Sequence, residues 1–340
     1  MLPGLWVGRP DRSRPTAMGC DRHSLSQPGP RCRRAPHPEA DIPGGYQKGV
    51  AGGDRADTSS LYGADMTPDS PRPGDHGGPG RAAGVPVLPR PPGRLTSRIA
   101  VVTGAASGIG AGIAVAFARE GADVALVDRV PPGAAADVVH AVVAAGGQAV
   151  YVQADVADQP AVQAMAAAVL ARFGRVDVLV NNAGIFTQSL LENMPVEDWD
   201  RVLAVNLRGT FLCTQALLGQ MLERGSGRII NIASQLGQVG GTEVAHYCAS
   251  KAAVIGLTKA LAREVAGRGV LVNAIAPGPI QTPLLDGETE QWRRAKLAEL
   301  PIGRFGEVSE VTPTAVLLAC DDGSYYVGQT LGPNGGDVML

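Results

Sequence analysis

From Arg98 to the end of the chain, short β-branched runs alternate with longer segments whose apolar residues recur at helical spacing. The predicted strands are residues 99–103, 123–128, 149–153, 176–181, 228–233, 270–275 and 329–331. A strand, a helix and a further strand in this order form a right-handed crossover, which makes neighbouring strands parallel. The alternation therefore predicts one α/β domain, a doubly wound parallel sheet with helices on both faces.

Residues 1–95 differ from the rest of the chain, because they are rich in Pro, Gly, Arg and Ser and have no periodic apolar pattern. Such a segment cannot bury enough apolar surface to offset its ordering entropy, so we predict disorder for 1–95 and a folded domain at 96–340. A regulatory tail, an organelle transit peptide and translation from an upstream start are three accounts of it. Acidic residues throughout the segment argue against the transit peptide. We favour a start placed too early, with Met66 as a candidate later start.

Composition excludes several classes of partner and site. The net charge of -2 gives no basic field for nucleic acid or anionic lipid, and no run of about 20 apolar residues is present, so we expect neither nucleic acid nor membrane as a partner. The five cysteines are an odd number without metal-like spacing. This favours a reducing compartment, predicts a cytoplasmic protein and predicts no metal site.

A glycine-rich turn follows the first predicted strand and precedes a helix predicted at residues 111–120. Glycines here let backbone N–H groups approach a pyrophosphate closely, and the positive end of the helix dipole favours that anion. The same motif also occurs as an ordinary tight turn, so by itself it supports a nucleotide site only weakly. The residues predicted to bind a dinucleotide in this turn are Gly104, Ser107, Gly108, Ile109 and Gly110.

Asp128 ends the second predicted strand, at the place where a dinucleotide-binding fold presents an acid to the adenosine ribose. A carboxylate there repels a 2′-phosphate, which favours NAD, while the neighbouring Arg129 leaves NADP open. Asp155 and Val156, after the third strand, are predicted to hold the adenine edge. Small residues after the fourth strand let a cofactor lie against the backbone. These are Asn182, Ala183 and Gly184.

Tyr247 and Lys251 are four residues apart, so they share one face of the predicted helix. A lysine ammonium one turn from a phenol stabilises the phenolate, so we expect the pKa of Tyr247 to be lowered toward that of a working acid/base. On its own the pair is common on helices. Ser234 ends the fifth predicted strand, where its hydroxyl can polarise a substrate carbonyl. Asn206 lies within a predicted helix, where an asparagine is usually a surface residue or bonds to the preceding turn.

Taken together, these residues make the chain from about Arg98 onward resemble the short-chain dehydrogenase/reductase family. The matching residues, in the family's order, are the glycine turn at 103–110, Asp155, the segment 181–184, Asn206, Ser234, Tyr247, Lys251, Pro277 and Gly278. The resemblance implies a Rossmann-type fold, hydride exchange between a nicotinamide and a CH–OH or carbonyl carbon, and a homotetramer with helix-pair interfaces.

The resemblance also implies a role for individual residues. Tyr247 is the acid/base, Ser234 orients the substrate oxygen, Lys251 binds the nicotinamide ribose and tunes Tyr247, and Asn206 supports a water that relays protons to Lys251. The residues expected to hold the nicotinamide, besides Tyr247 and Lys251, are Pro277, Gly278, Ile280 and Thr282.

The substrate is expected to contact loops at residues 185–186, 235–246 and 279–300. Their mixture of side chains, among them Leu284, Leu285, Trp292 and Gln238, suggests a medium-sized alcohol or ketone. His246 is interpreted as pocket lining or surface, since neighbours on a helix point apart.

The sequence is similar to the 3-oxoacyl thioester reductase branch and to related sugar and cyclic-alcohol dehydrogenases. NADPH-using oxoacyl reductases commonly have a basic residue before the second glycine of the turn, where this chain has Ser107. That departure favours NAD and alcohol oxidation. The alternatives are a non-catalytic nucleotide-binding regulator on the same fold and a methyltransferase. Retention of both Tyr247 and Lys251 argues against each of them.

Overall fold

The computed structural model describes residues 93–340, so the disorder predicted for residues 1–92 lies outside the described part of the chain. Residues 93–95 fall within it and pack against the domain. Leu95 is fully buried, and its N–H donates to the Glu120 carbonyl at 2.8 Å. Arg94 pairs with the Glu120 carboxylate at 2.8 Å. The packed region therefore includes residues before the predicted boundary at residue 96.

Seven strands form one parallel sheet in the order β3-β2-β1-β4-β5-β6-β7. The strands are β1 (Ile99–Thr103), β2 (Asp123–Asp128), β3 (Ala149–Gln153), β4 (Val178–Asn181), β5 (Gly227–Ile232), β6 (Val270–Ile275) and β7 (Thr330–Leu331). The predicted doubly wound fold is confirmed.

Helices connect the strands and account for the crossovers. They are α1 (Gly108–Arg119), α2 (Ala136–Ala144), α3 (Gln159–Phe173), α4 (Val196–Leu203), α5 (Gly209–Arg224), α6 (Leu236–Val239), α7 (Ala245–Val265), α8 (Glu290–Glu299) and α9 (Val308–Ala319). A π-helical turn, Ala204–Arg208, joins α4 to α5. Helix α1 begins at Gly108, three residues before the predicted start at residue 111.

Two strand ends differ from the prediction because side chains take the backbone hydrogen bonds there. β4 begins at Val178 instead of residue 176, since the Val176 N–H and carbonyl both bond to the Gln220 carboxamide. β7 begins at Thr330 because the Gln329 N–H donates to the Asn273 side chain at 2.9 Å. β5 is shifted by one residue, to Gly227–Ile232.

The core lies in two layers, one on each face of the sheet. Helices α1, α2 and α9 cover one face with buried side chains that include Ile113, Phe117, Val142, Val311 and Leu318. Helices α3, α5 and α7 cover the other face with Val162, Met165, Leu217, Met221 and Val265. Burial on both faces matches the continuous apolar strand sequences, such as the fully apolar start of β1.

The stretch Val196–Arg224 is long and apolar enough to span a membrane by length and composition alone. It consists of α4, the π-helical turn and α5, and the α5 part packs into the core through Leu217 and Met221, which are fully buried. Core helices of this kind satisfy the same criteria, so the stretch is weak evidence for a membrane span.

Candidate active site

A cleft of about 920 Å³ lies at the carboxyl edge of the sheet. Strand order changes direction there, because β2 and β3 lie on one side of β1 and β4 on the other. Open α/β sheets bind ligands at such a switch point. The predicted cofactor residues that line the cleft are Gly104, Ser107, Gly108, Ile109, Asp128, Asp155, Val156, Asn182, Ala183, Gly184, Tyr247, Lys251, Pro277, Gly278, Ile280 and Thr282.

Gly110 lies in the first turn of α1 and does not line the cleft, and its contact with a cofactor stays a prediction. A Cβ at this position would lie 2.2 Å from the Gly104 carbonyl oxygen and 2.4 Å from Asn182 Nδ2. Gly110 therefore permits α1 to pack closely against the glycine turn. Gly104 has a φ of +64° and no room for a Cβ, which would lie 2.8 Å from Ala183 Cα. The turn itself thus depends on glycine.

Asn182 lines the cleft, but its side chain serves the glycine turn. Its amide nitrogen donates to the carbonyls of Thr103 at 2.9 Å and Gly104 at 3.0 Å. Its backbone N–H donates to the Thr103 hydroxyl at 3.0 Å. These bonds hold the end of β4 against the turn, which the sequence prediction of a direct cofactor contact did not anticipate.

Asp128 joins the end of β2 to the same turn. One carboxylate oxygen accepts from the Ala106 N–H at 3.0 Å, and the other accepts from the Arg129 N–H at 2.8 Å. Asp155, at the end of β3, accepts from the Ala157 N–H at 2.8 Å. Both carboxylates line the cleft at the end where the sequence analysis places the adenosine.

Ser234, Tyr247 and Lys251 come together in the middle of the cleft. Ser234 follows β5 and is buried, while α7 presents Tyr247 and Lys251 on the same face. Lys251 is 4% exposed, and its ammonium donates to the Ile232 carbonyl at 2.7 Å. The ring of Phe186 packs edge-on against Tyr247 with centroids 5.1 Å apart.

The protonation equilibria in this cluster differ from the expectation. Burial raises the pKa of Tyr247 to about 12, although the hydrogen bond with the Ser234 hydroxyl acts in the opposite direction. Burial also lowers the pKa of Lys251 to about 8. In the protein without cofactor the pKa of Tyr247 is therefore raised where a lowering was expected, because the loss of hydration outweighs the hydrogen bond with Ser234.

Asn206 is 1% exposed, so the surface interpretation of this residue is wrong. It lies in the π-helical turn between α4 and α5. Its carboxamide accepts from the Ile185 N–H at 2.8 Å and donates to the Ile185 carbonyl at 3.0 Å and to Ser250 at 3.1 Å. π-turns are rare and occur often at functional sites, yet the sequence carries no signal of one.

His246 and Gln238 do not line the cleft, contrary to the prediction for both. His246 is fully buried, and its Nε2 lies 2.7 Å from the Thr187 hydroxyl. The imidazole thus ties α7 to the loop after β4. Gln238 lies on the short α6, which turns it toward a second, separate cavity.

Several polar lining residues escaped the sequence analysis as individual site residues. They are Gln188, Arg201, Gln235, Glu288, Lys296 and Glu299. The position of Gln235 directly after Ser234 was a usable signal. Glu288, Lys296 and Glu299 fall within the predicted substrate segment 279–300. Gln188, on the loop after β4, and Arg201, on α4, lie outside the predicted segments, and only the tertiary packing brings them to the cleft.

The residues present fit a dinucleotide. The cleft volume lies in the range of ligand pockets, and glycine backbone forms its floor beside Asp128. Gly184 leaves open the space in front of Lys251, because a Cβ there would lie 3.5 Å from Lys251 Nζ and 3.4 Å from Asn206 Oδ1.

Comparison with known proteins places this architecture in a family. Residues 98–293 match the family model described as short chain dehydrogenase. The chain is 44% identical over 243 residues to the 3-oxoacyl-[acyl-carrier-protein] reductase FabG of Staphylococcus aureus, covering 72% of this chain and 99% of that protein. It is 46% identical over 249 residues to the 3-oxoacyl-[acyl-carrier-protein] reductase of Synechocystis, covering 72% and 99%.

Solved structures of similar fold indicate the same family. A short-chain type dehydrogenase/reductase from Mycobacterium marinum superposes with a TM-score of 0.70 at 34% identity, covering 72% of this chain and 97% of that chain. A structure from Beutenbergia cavernae, with NADP bound at low occupancy, has a TM-score of 0.68 at 44% identity, covering 71% and 97%. The chain belongs to the short-chain dehydrogenase/reductase family and is an NAD(P)-dependent oxidoreductase that acts on CH–OH and carbonyl groups.

Proposed function

We propose that this protein interconverts a secondary alcohol and its ketone, with Tyr247 as the acid/base. The observation that carries the proposal is the meeting of Ser234, Tyr247 and Lys251 in one cleft beside the glycine turn. In that arrangement a substrate oxygen can lie within reach of two hydroxyls.

Lys251, Pro277, Gly278, Ile280 and Thr282 would hold a nicotinamide, which would supply or accept the hydride when bound. In the direction of reduction, the Tyr247 hydroxyl donates its proton to the substrate oxygen, and the Ser234 hydroxyl donates a hydrogen bond to the same oxygen as negative charge develops there. The Lys251 ammonium stabilises the phenolate that remains on Tyr247. Asn206 holds the Ile185 backbone and supports the water that returns a proton toward Lys251. Oxidation of the alcohol follows the same steps in reverse.

NAD is the proposed main cofactor. The support is the carboxylate of Asp128 at the adenosine end of the cleft, which disfavours a 2′-phosphate, together with Ser107 in the turn. NADPH is tested beside NADH because one relative of known structure has NADP bound.

The proposed substrate is a medium-sized alcohol or ketone, and the second candidate is a 3-oxoacyl thioester. The apolar lining supports the first, through Ile185, Phe186, Leu284 and Trp292. The second is favoured by the activity of the two 3-oxoacyl-[acyl-carrier-protein] reductases that are 44% and 46% identical to this chain.

The deciding experiment follows the absorbance of NADH and of NADPH with a panel of ketones, alcohols and 3-oxoacyl thioesters. We expect Tyr247→Phe to lose turnover by at least about a hundredfold while still binding cofactor, because the acid/base proton is removed. Tyr325→Phe is the matched control, since Tyr325 is fully exposed. Cofactor binding without turnover on any substrate would instead support the non-catalytic regulator.

The proposed assembly is a cytoplasmic homotetramer. Apolar side chains exposed on neighbouring helices support an interface there, with Val196 on α4 68% exposed and Phe211 on α5 44% exposed.

A further inference from the structure

One end of the cleft carries a connected polar cluster that the reaction does not use. Gln235, Lys296 and Glu299 line the cleft, and Asp337 lies behind them in the segment after β7. We call Gln235, Lys296, Glu299 and Asp337 the polar wall. Its members come from the loop after Ser234, from α8 and from the C-terminal segment.

Asp337 links the other members of the polar wall. Its carboxylate accepts a hydrogen bond from the Gln235 carboxamide and lies 2.7 Å from the Lys296 ammonium. Lys296 also donates to the Glu299 carboxylate at 3.2 Å. The Asp337 side chain is only 11% exposed and that of Lys296 19% exposed, so their ion pair is shielded from solvent, whereas the Glu299 side chain is 65% exposed. The hydrogen bonds with Asp337 and Glu299 outweigh burial and raise the pKa of Lys296, which keeps it charged.

The polar wall bears a net negative charge. One ammonium, on Lys296, stands against two carboxylates, on Glu299 and Asp337. Arg201 and Glu288 also line the cleft with opposite charges, and the Lys251 ammonium lines it beside the reacting hydroxyls. An anionic group that extends from the reacting oxygen to the polar wall would therefore meet one ammonium and two carboxylates there and be repelled.

The polar wall also places a hydrogen-bond donor, Lys296, and an acceptor, Glu299, on the lining of the cleft. The Gln235 carboxamide oxygen is buried and has no partner among the described residues, because Asp337 holds the amide nitrogen. An alkyl chain packed here would remove water from Lys296 and Glu299 without adding a hydrogen bond, whereas a hydroxyl group can donate to the Glu299 carboxylate and accept from Lys296.

We propose that the polar wall is a specificity-determining site, organised by Asp337, that selects uncharged ketones and alcohols carrying a second hydroxyl group. This inference rests on the proposed oxidoreduction and names its substrate class. Asp337 acts as a positioning residue, since it touches Gln235 and Lys296 and does not line the cleft.

The test uses two matched sets of ketones with the full chain and saturating cofactor. The acyclic set is levulinate, the matching terminal hydroxyketone and the matching unsubstituted methyl ketone. The cyclic set is cyclohexanone with its hydroxyl and carboxylate derivatives. We expect kcat/KM for the hydroxyketones to exceed that for the unsubstituted ketones by about tenfold or more, and the keto acids to be the poorest substrates.

Variants of the polar wall separate specificity from folding. Asp337→Asn removes one negative charge, so we expect the keto acids to gain about tenfold relative to the hydroxyketones, through KM and not kcat. Lys296→Met should abolish the preference for the hydroxyl group without helping the keto acids. Arg294→Met is the control, because Arg294 lies on the same helix with its side chain 76% exposed. Cofactor affinity reports whether each variant is folded.

Two results would overturn the inference while leaving the proposed function intact. One is a wild-type preference for unsubstituted ketones or 3-oxoacyl thioesters. The other is an Asp337→Asn variant whose kcat falls equally for every ketone, which indicates a purely structural role. Absence of turnover on every compound, 3-oxoacyl thioesters included, would overturn the proposed function and this inference with it.

Discussion

The ammonium group of Lys251 is almost completely buried. Its single hydrogen-bond acceptor among the described residues is the Ile232 carbonyl at 2.7 Å, and burial lowers its pKa from 10.5 to about 8. The folded protein without cofactor therefore pays a desolvation cost to keep Lys251 charged at neutral pH. Buried charges of this kind occur most often where function requires them.

This cost predicts a pH-dependent effect of Lys251→Met. Below about pH 8, Lys251 is charged in both folded and unfolded chains; between about pH 8 and 10.5 only the unfolded chain keeps the proton. The free energy of unfolding of the wild type should thus rise across this window by about 3 kcal/mol from this group. The Lys251→Met variant has no amine to titrate, so its free energy of unfolding should not rise in this way. Its stability relative to wild type should therefore fall by about 3 kcal/mol between about pH 8 and 10.5.

Denaturant unfolding of both proteins without cofactor, at a series of pH values, measures the difference. Tyr247 has a raised pKa, so it costs stability only above about pH 10, and it does so equally in both proteins. A stability difference that does not change with pH would contradict the low pKa of Lys251.

Asp128 is the residue whose charge we expect to set cofactor preference. Asp128→Asn removes the repulsion of a 2′-phosphate and keeps the side-chain size, so kcat/KM with NADPH relative to NADH should rise about tenfold or more. Steady-state kinetics with the two cofactors measures the ratio. Asp123→Asn is the control, because Asp123 begins the same strand and bonds Gln148 away from the cleft. An unchanged ratio in Asp128→Asn would place cofactor selection elsewhere.

At the scale of elements, the π-helical turn between α4 and α5 decides how the loop after β4 is held. Asn206 projects from this turn and bonds both backbone groups of Ile185. Ile185 and the adjoining Phe186 line the cleft, and Phe186 packs on Tyr247. The π-helical turn therefore positions a loop that lines the cleft, through the Asn206 carboxamide.

Asn206→Ala should lower the free energy of unfolding by about 2–4 kcal/mol, since it leaves the N–H and carbonyl of Ile185 and the Ser250 hydroxyl without this partner. Chemical denaturation measures the loss. Asn193→Ala, at an exposed asparagine in the short turn Leu191–Asn193, should stay within about 0.5 kcal/mol of wild type. Equal effects of the two substitutions would mean that the hydrogen bonds of Asn206 contribute little.

At the scale of the whole molecule, the described residues that line the cleft run from Gly104 to Glu299. A shortened chain beginning at Pro92 keeps Leu95 and Arg94, which pack against Glu120. We expect it to retain the full kcat/KM and cofactor affinity of the 340-residue chain. Light scattering on both forms should give the mass of four chains. Loss of cofactor binding on shortening would show that the first 91 residues serve the fold.

The sequence by itself determined the features that depend on local periodicity. Alternating β-branched and helical segments specified the parallel sheet, because each pattern favours one backbone geometry. The glycines of the turn and the four-residue spacing of Tyr247 and Lys251 were visible for the same reason. The order of these motifs sufficed to indicate the family.

Only the tertiary structure decided what depends on neighbours distant in sequence. It buried His246 and Asn206, and it placed Gly110 and the Asn182 side chain in contact with the glycine turn. It also raised the pKa of Tyr247, because the surrounding residues exclude water from the phenol. It also joined Gln235, Lys296 and Asp337, which no periodic pattern connects. Contacts of that kind follow from how the elements pack.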